Sequence, residues 1–122
     1  MSKPIAVRTS PSGQVQYYFA MAIVNDDGTL PDDSEIPLDP TLNIGIQKVI
    51  RTATGVYDVY PIPPIDPVRS VSTPNYISNS DDDVGLMFTQ NPSTSEYIEV
   101  YRYDIDSSGE NGPFSVELKT FP

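Results

Sequence analysis

The sequence of 122 residues contains no cysteine and no histidine. Without cysteine the chain has no disulfide framework, no thiolate nucleophile and no cysteine-ligated metal. Histidine is the usual general base near neutral pH and the commonest metal ligand, so its absence removes Ser-His-Asp catalysis and most zinc sites. What remains is carboxylate chemistry or none at all, and no acidic residue is marked by the sequence as buried or coupled. We therefore expect the protein not to be an enzyme and to need no cofactor.

Basic residues are scarce, since seven Lys and Arg stand against 17 Asp and Glu and the net charge is −10. So acidic a surface repels phosphate backbones and anionic lipids, and we expect neither nucleic acid nor membrane as a partner. No stretch is long and apolar enough to span a bilayer, and the first ten residues lack the apolar segment of a signal peptide. The sequence therefore predicts synthesis in the cytoplasm without export.

Uninterrupted helical patterns are lacking too, because 13 prolines and seven glycines divide the apolar runs at short intervals. What is present is a series of short segments with β-type alternation. The clearest is 114–120, which places Phe114, Val116 and Leu118 on one face and polar residues on the other. We predict an all-β, single-domain β-sandwich or jelly roll of about eight antiparallel strands with extended proline-rich loops.

The chain divides into two predicted parts. Residues 1–10 form an N-terminal arm with an edge strand over Ile5 to Arg8, and residues 11–122 form the sandwich domain. Within the domain, residues 26–40 contain six acids and three prolines and are predicted to be a surface loop. Residues 61–67, PIPPIDP, cannot continue a central strand because proline lacks the backbone donor.

In two other segments the alternation predicts which residues share a face. One segment, 42–51, places on a common face Ile44, Ile46, Lys48 and Ile50. The other, 84–90, directs towards the core Val84, Leu86 and Phe88.

The best metal candidate is the sequence DIDSSG, where Asp104, Asp106 and Ser108 fit the first, third and fifth positions of a calcium-binding EF-hand loop. The twelfth position would be Ser115, which cannot supply the bidentate carboxylate that such loops need. The alternative is a hairpin in which Asp, Ser and Gly adopt turn conformations. We favour the hairpin and predict no metal.

Eight tyrosines are present, and most of them fall on predicted strands. Tyrosine combines apolar area with a hydroxyl group, which suits half-solvated contacts between proteins. We expect Tyr18, Tyr101 and Tyr103 to contact a partner, with packing in the core and its rim as the alternative. A sugar-stacking surface is a third possibility, which the absence of tryptophan weakens.

Three segments together, GIQKVIRTATGVYDVYP, PVRSVSTP and EVYRYDIDSSGENGPFSVELKTFP, resemble a family of small virion structural proteins of tailed bacteriophages. A basic–Thr–x–Thr–Gly–x–Tyr–x–Val motif is carried by Arg51, Thr52, Thr54, Gly55, Tyr57 and Val59. An ending of the form Asp–x–x–Gly, then Phe–x–Val, is carried by Asp106, Gly109, Phe114 and Val116. The resemblance covers residues 44–120.

The resemblance implies a capsid decoration (cement) protein with a jelly-roll or C1q-like fold. Such a protein would bind and stabilise the shell of the major capsid protein, on the capsid surface of a virion assembled in a bacterial host. A head-fibre or tail-fibre module that contacts the host surface is the alternative. A homodimer or homotrimer is expected, because virion positions are multiplied by symmetry. The predicted partner-contact residues are Ile5, Arg8, Tyr18, Pro61, Pro63, Pro64, Tyr101 and Tyr103.

Overall fold

Every regular element in the described part of the protein is a β-strand. The computed structural model describes residues 6–9, 15–62, 70–78, 85–89, 96–106 and 108–120. The strands are β1 (Ala6–Thr9), β2 (Val15–Val24), β3 (Ser34–Glu35), β4 (Leu38–Ile44), β5 (Ile46–Ala53), β6 (Val56–Pro61), β7 (Ser70–Tyr76), β8 (Gly85–Thr89), β9 (Ile98–Asp104) and β10 (Phe114–Thr120). Among these residues there is no helix that could cross a membrane.

The strands form two antiparallel sheets, which we call sheet A and sheet B. Sheet A has the order β1-β2-β10-β7, and β4 also pairs with β2. Sheet B has the order β3-β5-β6-β9-β8. The two sheets enclose one apolar core, so the prediction of an all-β sandwich is confirmed. The predicted edge strand of the arm is also present, because β1 pairs with the first half of β2.

The core lies between the inner faces of the two sheets. Alternate residues of the central strands point into it, as the period of two requires. From sheet A these are Ala20, Ala22, Val24, Phe114, Val116 and Leu118, and from sheet B they include Val49, Tyr57, Val59, Ile98 and Val100. The rings of Tyr57 and Phe114 meet edge to face with their centroids 4.7 Å apart. The predicted inward face of 114–120 is therefore confirmed.

The acidic segment 26–40 is more ordered than the predicted surface loop. It contains β3 and the first part of β4, which brings the described strands to ten where about eight were predicted. Ile36 is only 1% exposed, and its N–H donates to the carbonyl of Val49 at 2.8 Å. Composition misled the prediction because most of the acidic side chains of the segment face solvent, whereas the buried Asp26 and Ile36 and the backbone hold it against β5.

The segment 42–51 does not form one strand with a constant inward face. Gly45, at φ +72°, separates β4 in sheet A from β5 in sheet B. A register shift between Ile46 and Lys48 then changes which residues point inwards. Ile46 and Val49 are buried, while Lys48 and Ile50 are half-buried. The prediction that Ile44, Ile46, Lys48 and Ile50 share a face is wrong for this reason.

Strand β8 presents its apolar side chains outwards, contrary to the prediction that they fill the core. Leu86 is 50% exposed and Phe88 is 41% exposed, whereas Met87 between them packs against the core. Val84 lies outside the described residues. The prediction failed because β8 is the edge strand of sheet B, and the rings of its neighbour β9 provide an apolar surface on the outer side.

Candidate functional site

Three aromatic rings and a leucine form an exposed cluster on the outer face of sheet B, which we call the aromatic face (Leu86, Phe88, Tyr101, Tyr103). The rings of Phe88 and Tyr101 are stacked, with centroids 5.1 Å apart and planes 3° from parallel. Tyr103 meets Phe88 edge to face at 5.3 Å and Tyr101 at 6.2 Å. Large apolar groups that remain exposed in this way mark surfaces for contact with other molecules.

The pairing of β8 with β9 explains why these side chains meet. Leu86 is the register partner of Tyr103, and Phe88 is the register partner of Tyr101. Opposed residues of an antiparallel pair point to the same side of the sheet, with side chains in contact distance. The alternate residues of β9 point inwards, where Val100 and Arg102 are fully buried. The outward direction of the rings follows from the period of two once the inner face of β9 is occupied.

Beside the aromatic face lie two carboxylates, which we call the carboxylate pair (Asp58 and Glu99). They are register partners on β6 and β9. Burial raises the pKa of Asp58, and the charge of Glu99 raises it further. The hydroxyl of Tyr101 donates to Oε1 of Glu99. This hydrogen bond, together with burial, raises the pKa of Tyr101 to about 12.

A second pair of rings flanks the carboxylate pair on the side away from Phe88. The centroids of Tyr60 and Tyr97 are 5.3 Å apart, and Nζ of Lys48 lies 4.8 Å from the centroid of Tyr60. Burial raises the pKa of Tyr60, and the charge of Asp58 adds to the effect. The outer face of sheet B therefore alternates rings and charges: one aromatic cluster, two carboxylates, then a second aromatic pair with a lysine.

One end of the sandwich, which we call the arginine end, contains a buried ion pair. Nη1 of Arg51 lies 2.6 Å from Oδ2 of Asp26, and both side chains are at most 2% exposed. The hydroxyl of Tyr57 donates to the same carboxylate oxygen at 2.6 Å and accepts from the N–H of Gly112 at 3.0 Å. Burial acts to lower the pKa of Arg51, but the hydrogen bond and charge of Asp26 outweigh it and raise that pKa. For Tyr57, burial acts in the opposite direction and raises the pKa, and the hydrogen bond to Asp26 raises it further.

A second buried arginine completes the arginine end. Arg102 is 0% exposed and its Nη1 lies 2.5 Å from Oε1 of Glu110. The guanidinium also donates to the carbonyls of Ile77, at 2.8 Å, and Pro113, at 3.1 Å. The ring of Tyr76 covers it at 4.1 Å. Nε of Arg51 has no hydrogen-bond partner and lies 3.5 Å from Oδ1 of Asp32. The other guanidinium nitrogens of the two arginines donate to groups of the surrounding loops, so the arginine end holds these loops against the sandwich.

The basic–Thr–x–Thr–Gly–x–Tyr–x–Val motif of residues 51–59 lies at the arginine end. Arg51 and Tyr57 both bind Asp26, and Gly55 makes the turn between β5 and β6. Gly55 has φ +74°, and a Cβ there would lie 2.4 Å from the carbonyl oxygen of Arg102. These motif residues therefore have roles in folding.

The calcium candidates form a turn. Oδ1 of Asp104 accepts from the N–H of Asp106 at 2.9 Å and from the N–H of Ser108 at 3.0 Å. The carbonyl of Ser108 in turn accepts from the N–H of Asp104 at 2.9 Å. Across the described residues, no group of three or more acidic side chains is arranged to hold a metal ion. The hydrogen bonding is that of the hairpin alternative.

The structure brings together some of the predicted contact residues. Tyr101 and Tyr103 lie side by side on the aromatic face. Arg8 and Tyr18 lie on β1 and β2 of sheet A, and Pro61 is buried at the end of β6. Ile5, Pro63 and Pro64 lie outside the described residues.

Sequence reasoning missed the members of the site that come from other strands. The alternation in 84–90 predicts that Phe88 lies in the core. No feature of the sequence indicates that Asp58 and Glu99 are neighbours. The alternation within each strand does assign these residues to faces, but only the register between strands shows that they are neighbours.

The comparisons with protein-family models, with curated proteins and with solved structures each found no match. The described residues define the class as a two-sheet β-sandwich with an exposed aromatic face.

Proposed function

We propose that this protein is a structural binding module that docks on another folded protein through the aromatic face. One observation carries the proposal: Phe88, which is 41% exposed, is stacked on Tyr101 and joined by Tyr103 on the outside of the sheet. Tyrosine and phenylalanine are enriched at protein interfaces, where their rings supply contact area at a small entropic cost. Binding of this kind needs shape and area and requires no reactive group.

The finer proposal is that the partner is the major capsid protein of a tailed bacteriophage and that this chain acts as a decoration protein. It is supported by the resemblance of residues 44–120 to small virion proteins and by the aromatic face. A net charge of −10 keeps such a protein soluble, and it also repels the nucleic acid of the genome, to which a decoration protein should not bind. Self-association as a dimer or trimer on the particle belongs to the same proposal.

The test is binding of the purified protein to capsids of the phage that encodes it, measured by co-sedimentation, with the temperature of capsid opening as a second readout. The double variant Phe88→Ser/Tyr103→Ser should sediment with capsids at least about tenfold less, because it removes the central contact rings. The matched control is Val71→Ser, since Val71 is also apolar and 54% exposed but lies on β7 of sheet A.

The outcomes separate the alternatives. Wild-type protein that decorates the lattice and raises the opening temperature supports the decoration role. A few copies at one vertex, with host adsorption lost in their absence, would assign the protein to a fibre. If the wild-type protein does not sediment with capsids, or if the double variant binds as well as wild type, the proposal is wrong.

A further inference from the structure

The carboxylate pair places two negative charges next to each other on the outer face. Neighbours such as Asp58 and Glu99 have Cβ atoms about 5 Å apart, and like charges placed directly opposite one another destabilise a sheet. The ion pairs formed between described residues join Arg51 and Arg102 to other acids, and none includes Asp58 or Glu99. Among the residues that the structure describes, no cation therefore balances the repulsion within the pair.

The surroundings of the pair are partly apolar. Rings lie on both sides, with Tyr101 donating to Glu99 and Tyr60 on the same strand as Asp58. Partial burial and the neighbouring charge of Glu99 disfavour the charged form of Asp58 and raise its pKa. In less polar surroundings the charge of a bound cation would interact more strongly with the pair than it would in water.

The charge of the whole face indicates what kind of surface can cover it. Within the described strands of sheet B, Lys48 is the one base on the outer side, and it lies over the ring of Tyr60. Glu35 of β3, the register partner of Ile50, adds a further exposed carboxylate. Apposing this face to a second copy of itself would bring carboxylates together, whereas a basic surface would be complementary to it.

We propose that the outer face of sheet B docks a partner protein that inserts an arginine side chain between Asp58 and Glu99, with apolar side chains around it on the aromatic face. This inference rests on the proposed function and adds the chemistry of the partner surface. Arginine suits the site because its planar guanidinium can donate to two carboxylates at once and can stack on tyrosine rings. Self-association then uses a different face.

The test uses two acetylated, amidated peptides, Gly-Leu-Arg-Leu-Gly and the same peptide with neutral citrulline in place of arginine. We expect the arginine peptide to shift the backbone amide signals of β6 and β9 in NMR spectra and the citrulline peptide to bind about tenfold more weakly. Added salt should weaken the arginine peptide and leave the citrulline peptide nearly unchanged.

Variants of the protein make the test specific. The double variant Asp58→Asn/Glu99→Gln should lose the preference for arginine. The control Asp27→Asn/Asp39→Asn removes two charges away from sheet B, at Asp27 in an exposed turn and at Asp39 in β4, and should keep the preference. Equal binding of the two peptides to wild type, or an equal loss in the control, would overturn the inference, as would a dimer formed through this face.

Capsid binding distinguishes failure of this inference from failure of the proposed function. If Asp58→Asn/Glu99→Gln binds capsids like wild type while Phe88→Ser/Tyr103→Ser does not, the aromatic face is the docking surface and the arginine inference is wrong. If both double variants bind capsids like wild type, the proposed function is wrong as well. A loss of capsid binding in both, without a loss in Asp27→Asn/Asp39→Asn, supports both proposals.

Discussion

The arginine end and the outer face of sheet B are built from the same kinds of side chain, tyrosines beside charged groups, but they place them in opposite environments. At the arginine end, Asp26 binds both Arg51 and Tyr57 out of contact with solvent. On the outer face, Asp58 and Glu99 face each other with no ion pair to any base in the described strands, and Phe88 remains exposed. The arginine end is arranged like a region that stabilises the fold. The outer face of sheet B is arranged like a surface that binds another molecule.

The difference shows that residue type alone does not separate structure from function in this protein. Tyr57 and Tyr101 both donate hydroxyl hydrogens to carboxylates, yet Tyr57 is fully buried and Tyr101 is half-buried on the outer face. Substitutions in the two regions should therefore have effects of very different size on stability. Four substitutions, taken from the largest expected effect to the smallest, test how strongly buried and exposed residues stabilise the fold.

Asp26→Ala should destabilise the protein by about 3–5 kcal/mol, because it leaves Arg51 buried with no partner for Nη1 and removes the acceptor of Tyr57. Urea unfolding followed by fluorescence measures the change. Asp27→Ala is the matched control, since Asp27 is the next residue but bonds only within an exposed turn to Thr29. Similar unfolding midpoints for the two variants would mean that the arginine end does not stabilise the fold.

Phe114→Ala should cost about 3–5 kcal/mol, because the ring is fully buried against Tyr57 in the core. Phe88→Ala should cost about 1 kcal/mol, because the ring already contacts solvent and loses mainly its stacking on Tyr101. Thermal unfolding by circular dichroism gives both values. Comparable losses of stability in the two variants would show that Phe88 is packed in the core, as the alternation of residues 84–90 predicts.

Gly55→Ala should destabilise by about 2–4 kcal/mol, from the strain of a positive φ and from a Cβ placed 2.4 Å from the carbonyl oxygen of Arg102. Gly28→Ala is the control with a similar φ, +80°, but open space around the new Cβ. It should lose only the conformational part, about 1–2 kcal/mol. Equal losses measured by urea unfolding would show that the close approach of the turn to β9 contributes nothing.

Asp58→Asn should stabilise the isolated protein at pH 7 by about 0.5 kcal/mol, because it removes the repulsion from Glu99. The pKa of Asp58 is raised in the folded state. Protonation of Asp58 therefore stabilises the folded protein fully at a pH below the ordinary pKa of aspartate, and this stabilisation is lost as the pH rises through the pKa of the folded state. The advantage of the variant should therefore disappear near pH 3. Urea unfolding at the two pH values tests this, and a variant that is less stable at pH 7 would contradict it.

Several features of the fold could be predicted from local sequence. The failed predictions lie where the alternation within one strand does not determine which face is buried. The alternation at 114–120 predicted an inward Phe114, Val116 and Leu118, which is correct because β10 is a central strand with a single buried face. The same rule failed at Phe88, because an edge strand can carry apolar residues on the side that the core does not cover. It failed after Ile46 as well, where a register shift reverses the faces.

The candidate site was only partly predictable for a related reason. Tyr101 and Tyr103 were identified as contact residues because tyrosines repeat on one face of β9. Asp58 and Glu99 are 41 positions apart in the chain, 99 minus 58, and only the register of β6 with β9 makes them neighbours. Arg51 and Asp26 are brought together in the same way by the path of the acidic segment over β5.

By itself, the sequence determined that the chain is all-β, that its surface is strongly acidic and that its alternating strands have one apolar side to bury, because proline spacing, net charge and the period of two are local properties. Tertiary structure alone decided which aromatic side chains were left facing solvent and which acids received an arginine. Those outcomes depend on strand order and register, which are set by contacts between residues that are distant along the chain.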